Sequence, residues 1–197
     1  MEGCFINSHF FAYLSRMKLI RRWSLMRSIV PENIQEHSLQ VALIAHALAL
    51  IANEFFEGKL DAGQVACLAL YHDAGEVIIG DLPTPVKYFN PQIKQSYGEI
   101  ETVAKNKLLS MLPPRLAVHY QNLFFPREGK EKQLVRAADK ISAYIKCLEE
   151  AAAGNGEFSQ AQQALAAELD IHRRLPEVAY FLDNFLESFR LTLDEMN

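Results

Sequence analysis

The 197-residue sequence predicts an all-α fold, and three observations predict it. Apolar residues recur at the 3.6-residue period in several long segments. No segment shows the period-two alternation of a half-buried strand. The breaks between segments fall on Gly, Pro and Asn, which interrupt helices. The length fits one domain over residues 1–197, large enough to hold a core without disulfide staples.

A first helix is expected over 8–16, with Ser8 as its cap. A second spans 35–55, where Val41, Ile44, Ala45, Leu48, Ile51 and Ala52 make one face. A third starts at Asp61, a good N-cap, carries Val65, Leu68, Ala69 and His72, and ends or bends near Gly75. Gly80 to Pro85 reads as a loop, because a glycine and two prolines do not continue a helix. A helix over 91–112 stops at Pro113-Pro114. Another over 128–153 keeps Leu134, Ala138, Ile141, Ile145 and Leu148 in register, until Gly154-Asn155-Gly156 breaks the chain. Two last helices fit 158–174 and 177–189, giving a bundle of six to eight.

Composition narrows the function. Half of the residues are hydrophobic and 22% are charged, as in a soluble globular protein. A net charge of −4 offers no electrostatic case for nucleic acid or an anionic membrane, though it leaves room for a local basic pocket. The longest apolar run, 41–52, falls short of the ~20 residues that cross a bilayer. The first residues lack the layout of a signal peptide. Cys4, Cys67 and Cys147 are odd in number; Cys67 and Cys147 read as reduced core thiols. The expectation is a cytoplasmic protein.

The chemistry starts from His72-Asp73. Neighbours on a regular helix point about 100° apart, so an adjacent ligand pair suits a helix end, where both side chains lean towards one ion. His37 opens the second helix and Asp139 sits within the apolar stripe of the helix over 128–153, beside Ala137 and Ala138. A carboxylate there needs a partner: a metal ion, or else Arg136 or a cation from another helix. Two His nitrogens and two carboxylates suit one Mn²⁺, Co²⁺, Fe²⁺ or Zn²⁺ better than Ca²⁺, and sequence does not choose among them. The bland alternatives are an exposed first-turn His37 and a salt-bridged Asp139. His46 lies about 180° round the helix from His37 and cannot share its site.

Glu76 follows Asp73 by three positions and His72 by four. It shares their face if the helix persists, placed to take a proton from the attacking water or pass one to the leaving group; otherwise it is a helix-end glutamate. Arg22-Trp23 lies in a basic stretch with Arg16, Lys18, Arg21 and Arg27. It offers a bidentate phosphate contact and a ring for a sugar or base, or else a solvated turn anchored by its Trp.

These residues resemble a known family. The pattern His37, His72-Asp73, Asp139 is similar to the HD-domain metal phosphohydrolases. Arg22-Trp23, the run from Glu36 to Ala42, the run from His72 to Tyr88 and the run from Ala143 to Glu150 resemble the bacterial HD-domain 5′-deoxynucleotidases. The resemblance covers nearly the whole chain and is weakest at 117–129 and the termini. It implies an HD-type bundle, one divalent metal, a homodimer and release of phosphate from deoxyribonucleoside 5′-monophosphates. By resemblance His37, His72, Asp73 and Asp139 ligate the metal, Arg22 orients phosphate and Trp23 contacts the sugar. Asp81, Leu82, Pro83 and Thr84 form the nucleotide loop, and Glu76 serves water or leaving group. The rivals are a triphosphohydrolase, which needs more Arg and Lys than the sequence makes evident, a phosphodiesterase with extra ligands, and a non-catalytic nucleotide-binding module.

Overall fold

The computed structural model describes residues 8–87 and 89–197; Cys4 and Tyr88 lie outside them. Ten α-helices follow in order, and no strand occurs among the described residues. They are α1 (Phe10–Leu14), α2 (Ile34–Phe55), α3 (Ala62–Tyr71), α4 (Glu76–Ile79) and α5 (Thr84–Lys87), then α6 (Pro91–Leu109), α7 (Pro114–Phe124), α8 (Lys130–Ala152), α9 (Ser159–His172) and α10 (Pro176–Phe185).

Helix α2 is the axis. Asn33 caps it by accepting from the Gln35 and Glu36 amides, while the Glu36 carboxylate accepts from the Asn33 amide. Its inner face, Val41, Ala45, Leu48 and Ala49, is fully buried against α3, α8 and α10. On length and composition alone α2 would suit a membrane span, yet half of its most apolar stretch is buried inside the protein as core. Leu134, Ile141 and Ile145 of α8 complete that core; each such buried side chain contributes about 1.5–3 kcal/mol. A second cluster, Phe10, Leu108, Leu112 and Phe124, lies under α6 and α7.

Several elements differ from expectation. Helix α1 gives way at Ser15 to a 3₁₀ turn running to Leu19. Ser8 stands one position before the N-cap, His9: its hydroxyl accepts from the Phe10 amide at 3.4 Å and donates to the Met111 carbonyl at 2.6 Å, tying the start of the described chain to the turn after α6. Helix α7 was not expected at all, because Pro113-Pro114 reads as a stop. Proline at the first helical position starts a helix equally well, since the amide it lacks has no partner there. The same holds within the expected loop, where Pro85 sits in the first turn of α5. Cys67 is exposed rather than core: α3 turns Val65, Leu68 and Ala69 inward, which leaves Cys67 on the outside. Cys147 is buried as expected.

Two features aim the site. After Tyr71 the hydrogen bonds tighten to i→i−3, with Ala74 donating to Tyr71 at 3.2 Å and Glu76 to Asp73 at 2.9 Å. The segment from 20 to 34 closes on itself: Ile34 donates to Ile20 and Arg22 to Glu32, each at 3.0 Å, placing Arg22 beside the first turn of α2.

Candidate metal centre

His37, in the first turn of α2, is completely buried and faces α8. Its Nδ1 lies 3.2 Å from the Ser142 hydroxyl, which itself donates to Gln40 Oε1 at 2.8 Å. With that proton used, Ser142 accepts, so Nδ1 carries the hydrogen and Nε2 is bare. His72 reaches the same state by another route. Its Nδ1 lies 2.6 Å from the Ala69 carbonyl, which only accepts. In its neutral form each ring therefore keeps its hydrogen on Nδ1 and leaves Nε2 as the lone pair that binds metals.

The two lone pairs converge. His37 Nε2 stands 3.1 Å from Asp139 Oδ1 and 3.6 Å from Asp73 Oδ2, and His72 Nε2 stands 3.0 Å from Asp73 Oδ2. Neither nitrogen makes a well-directed hydrogen bond, although both are buried. They point at a shared space rather than at one another. One donor atom each from His37, His72 and Asp139 lies within 4.8 Å of the others, close to the span of ligands about 2.1 Å from a common cation. Asp73 joins from the His72 side. Two orphaned imidazole nitrogens and two carboxylates fit a divalent cation.

Electrostatics agree. The ring of His72 is raised to about 9: burial opposes its charge, but Asp73, adjacent, and then Asp139 outweigh burial. Asp73 and Asp139 are driven well below the usual carboxylate range: burial opposes this, and His72 for the first and His37 for the second prevail. The cluster demands positive charge, which a proton or a dication supplies.

The expected surroundings fall into place unevenly. Glu76 is buried although the α3 helix does not persist to it; the tight turn over 72–75 carries it inward at the start of α4. Burial, then the charges of Asp73 and Asp81, push its carboxyl up to about 10. Arg22 sends Nη1 to within 3.8 Å of Asp73 Oδ2. Burial works against its charge, and Glu32, Asp139, Asp73 and Asp81 hold it. Asp81 lies in the same field: its carboxyl is raised by burial, with Arg22 opposing and Asp73 reinforcing. Leu82 and Pro83 lie half-buried on the connection from α4, and Thr84 is exposed as the first residue of α5. Trp23 adopts φ 56°, and its ring packs on Phe158 with centroids 5.2 Å apart.

A cavity of about 530 Å³ opens beside His72, Asp73 and Asp139, a size that suits a nucleotide. Leu123, Phe124 and Phe125 line one part of it, and Lys87, Lys105, Lys132 and Arg136 another. The sequence shows no excess of cations near the ligands; the fold gathers these four from α5, α6 and α8. All four are engaged: Lys105 with Glu101 at 2.6 Å, Lys132 and Arg136 with Glu128, and Lys87 over the Tyr97 ring. Sequence reasoning also missed Ser142 and Glu32. Ser142 was within reach, being three residues after Asp139 on one helix face. Glu32 carried no signal, since it lies in an irregular segment.

Comparison with known proteins gives the same picture. A family model described as 5′-deoxynucleotidase YfbR-like matches residues 9–189. A 5′-deoxynucleotidase of Vibrio parahaemolyticus is 54% identical over 193 residues, which cover 97% of this chain and 99% of that one. One from Yersinia pestis is 54% identical over 192 residues, with 96% and 97% covered. Among solved structures, an HD-domain phosphohydrolase from Listeria innocua superposes with a TM-score of 0.82 at 24% identity, over 92% of this chain and 88% of that one. The cyanophage S-2L HD phosphohydrolase DatZ, solved with dA and one catalytic Zn²⁺ ion, superposes with a TM-score of 0.64 at 20% identity, over 90% and 96%. These two structures share the all-α HD fold. With a family model matching nearly its whole length and relatives identical at more than half of the aligned positions, the chain belongs to the YfbR-like 5′-deoxynucleotidase family.

Proposed function

We infer that this protein is a metal-dependent 5′-deoxynucleotidase, which hydrolyses deoxyribonucleoside 5′-monophosphates to deoxyribonucleosides and phosphate. The observation that carries the reading is the convergence of two unpartnered, buried imidazole nitrogens with two depressed carboxylates beside a nucleotide-sized cavity. Family membership and the names of the relatives support the substrate class.

In this reading His37, His72, Asp73 and Asp139 hold one divalent ion of the Mn²⁺, Co²⁺, Fe²⁺ or Zn²⁺ type. When bound, that ion supplies Lewis acidity and acidifies a water. The protein does the rest. Arg22, whose Nη1 faces Asp73, neutralises phosphate charge. Water attacks phosphorus as the bond to the 5′-oxygen breaks; Glu76, ionised once a dication offsets the charges of Asp73 and Asp81, accepts the water proton and returns it to the departing 5′-oxygen. Trp23 stands against the sugar, where its bulk excludes a 2′-hydroxyl and leaves that hydroxyl unpaired. Asp81 accepts a hydrogen bond from the 3′-hydroxyl, and Leu82, Pro83 and Thr84 complete the nucleotide loop. Positioning and charge stabilisation supply most of the rate enhancement.

The proposal extends to one domain over residues 1–197, a cytoplasmic location and a homodimer. Two free thiols support the compartment. Leu39, Leu43 and Leu50, exposed in one stripe on the outer face of α2, support self-association, with light scattering as the check. The activity is tested on metal-stripped protein with metal added back, using dTMP, dAMP, AMP, dTTP and cyclic AMP. Phosphate release is expected from dTMP and dAMP, far less from AMP, and only with metal present. Turnover of dTTP alone, or equal release by wild type and Asp73→Ala, refutes the reading.

A further inference from the structure

Glu32 lies in the irregular segment just before α2, and its carboxylate is only 11% exposed. Its Oε2 accepts from Arg22 Nε and from Trp23 Nε1, both at 2.9 Å. Its Oε1 stands 3.8 Å from His37 Nδ1, and its carbonyl accepts the Arg22 amide at 3.0 Å. We propose that Glu32 is a positioning residue: one carboxylate oxygen locks Arg22 and Trp23 into a single rigid unit, so that phosphate orientation and sugar discrimination are set together. The proposal rests on the reading of Arg22 and Trp23 as substrate contacts.

Each partner needs the lock. A guanidinium carries five N–H donors on a long, freely rotating stem. Glu32 takes only the inner one, Nε–H, which fixes the plane of the fork and leaves the outer donors for an anion. Trp23 holds a left-handed backbone conformation that a bulky residue rarely adopts and that persists only where its surroundings determine it. The indole N–H on Glu32 at one edge and Phe158 against the ring are those surroundings. An ion pair that merely balanced the charge of Arg22 would have no reason to include the indole. The splint is itself anchored. Glu150 accepts from the Ile29 and Val30 amides at 2.9 and 3.1 Å, and Lys146 bridges Glu150 and the Val30 carbonyl. Both anchoring residues are buried on α8, Lys146 two turns and Glu150 three turns beyond Asp139.

The test compares wild type, Glu32→Ala and Glu32→Gln in two ways. The first is kcat and KM for dAMP and AMP in metal-loaded enzyme. The second is acrylamide quenching of Trp23, the sole tryptophan, in metal-free protein. Glu32→Ala is expected to lower kcat/KM for dAMP by about tenfold to a hundredfold, the loss of hydrogen bonds to a charged group. It should also narrow the dAMP-to-AMP ratio and make the indole more quenchable. Glu32→Gln, which keeps an acceptor oxygen without the charge, should fall between, and it carries the comparison if Glu32→Ala does not fold. An unchanged dAMP-to-AMP ratio or unchanged quenching in both variants overturns the proposal. If wild type releases phosphate from neither nucleotide, the function proposed above falls, and quenching alone decides whether Glu32 holds the indole.

Discussion

Glu76 shows how an acidic side chain is set by what lies around it. Buried beside Asp73 and Asp81 with its carboxyl raised to about 10, it keeps a proton at neutral pH when no cation is bound. Its ordinary value is 4.5. Above that pH the unfolded chain releases a proton that the folded protein retains, so the folded state loses stability as pH rises from there to about 10. Glu76→Gln removes the penalty. The metal-free variant should therefore melt higher than metal-free wild type at pH 8, with a smaller gain at pH 5, while phosphate release is abolished. Scanning calorimetry at the two pH values checks this, and a gain at pH 5 that equals or exceeds the one at pH 8 would contradict it. A dication in the cluster offsets the neighbouring carboxylates and should shrink the difference. The residues that carry this chemistry were legible as types at spacings: His37, His72-Asp73 and Asp139 stood out because each is costly to bury without a partner. Glu32 was not, because its value lies in whom it touches.

The connection from α4 to α5 is the element on which Asp81 depends. Gly80 ends α4 at φ 76° and ψ 166°, a combination open to glycine and almost nothing else. An added Cβ would meet nothing within 4 Å, so any cost of Gly80→Ala is backbone strain alone. That strain is about 1–3 kcal/mol, a fall in Tm of about 2–10 °C in a chain of this length. KM for dAMP should rise as Asp81 shifts, and a Tm and KM equal to wild type would refute the assignment. At this scale the sequence yields existence and type more readily than ends. The long periodic helices α2 and α8 were legible to within two residues at each end, because a buried face imposes its period. Helices α5 and α7 were hidden, because proline both stops and starts helices and only the tertiary setting decides which.

For the whole molecule, the centre ties together elements far apart in the chain. His37 comes from α2, His72 and Asp73 from the turn after α3, and Asp139 from α8, the helices that also build the main core. An ion that binds only when these are assembled stabilises the fold by mass action. At a free concentration one hundred times its Kd this adds about 2.7 kcal/mol, a rise in Tm of about 5–10 °C. Chelation of the purified protein should lower Tm by that amount, and add-back should restore it in a concentration-dependent way. A Tm indifferent to chelator and metal would mean that the four side chains hold no ion.

Helix α8 carries Asp139, Ser142, Lys146 and Glu150 at steps of three and four residues, a single stripe along one rod. The stripe meets the cluster of His37, His72 and Asp73 at one end and the segment bearing Glu32 at the other. Inserting one residue between Asp139 and Glu150 would turn everything beyond it by about 100° and part the two ends of the stripe. Changes of length in this helix should therefore be lethal to function, whereas the bend at Gly154 to Gly156 can absorb them. The angular phase of one helix thus sets the alignment of two halves of the site that never meet in sequence.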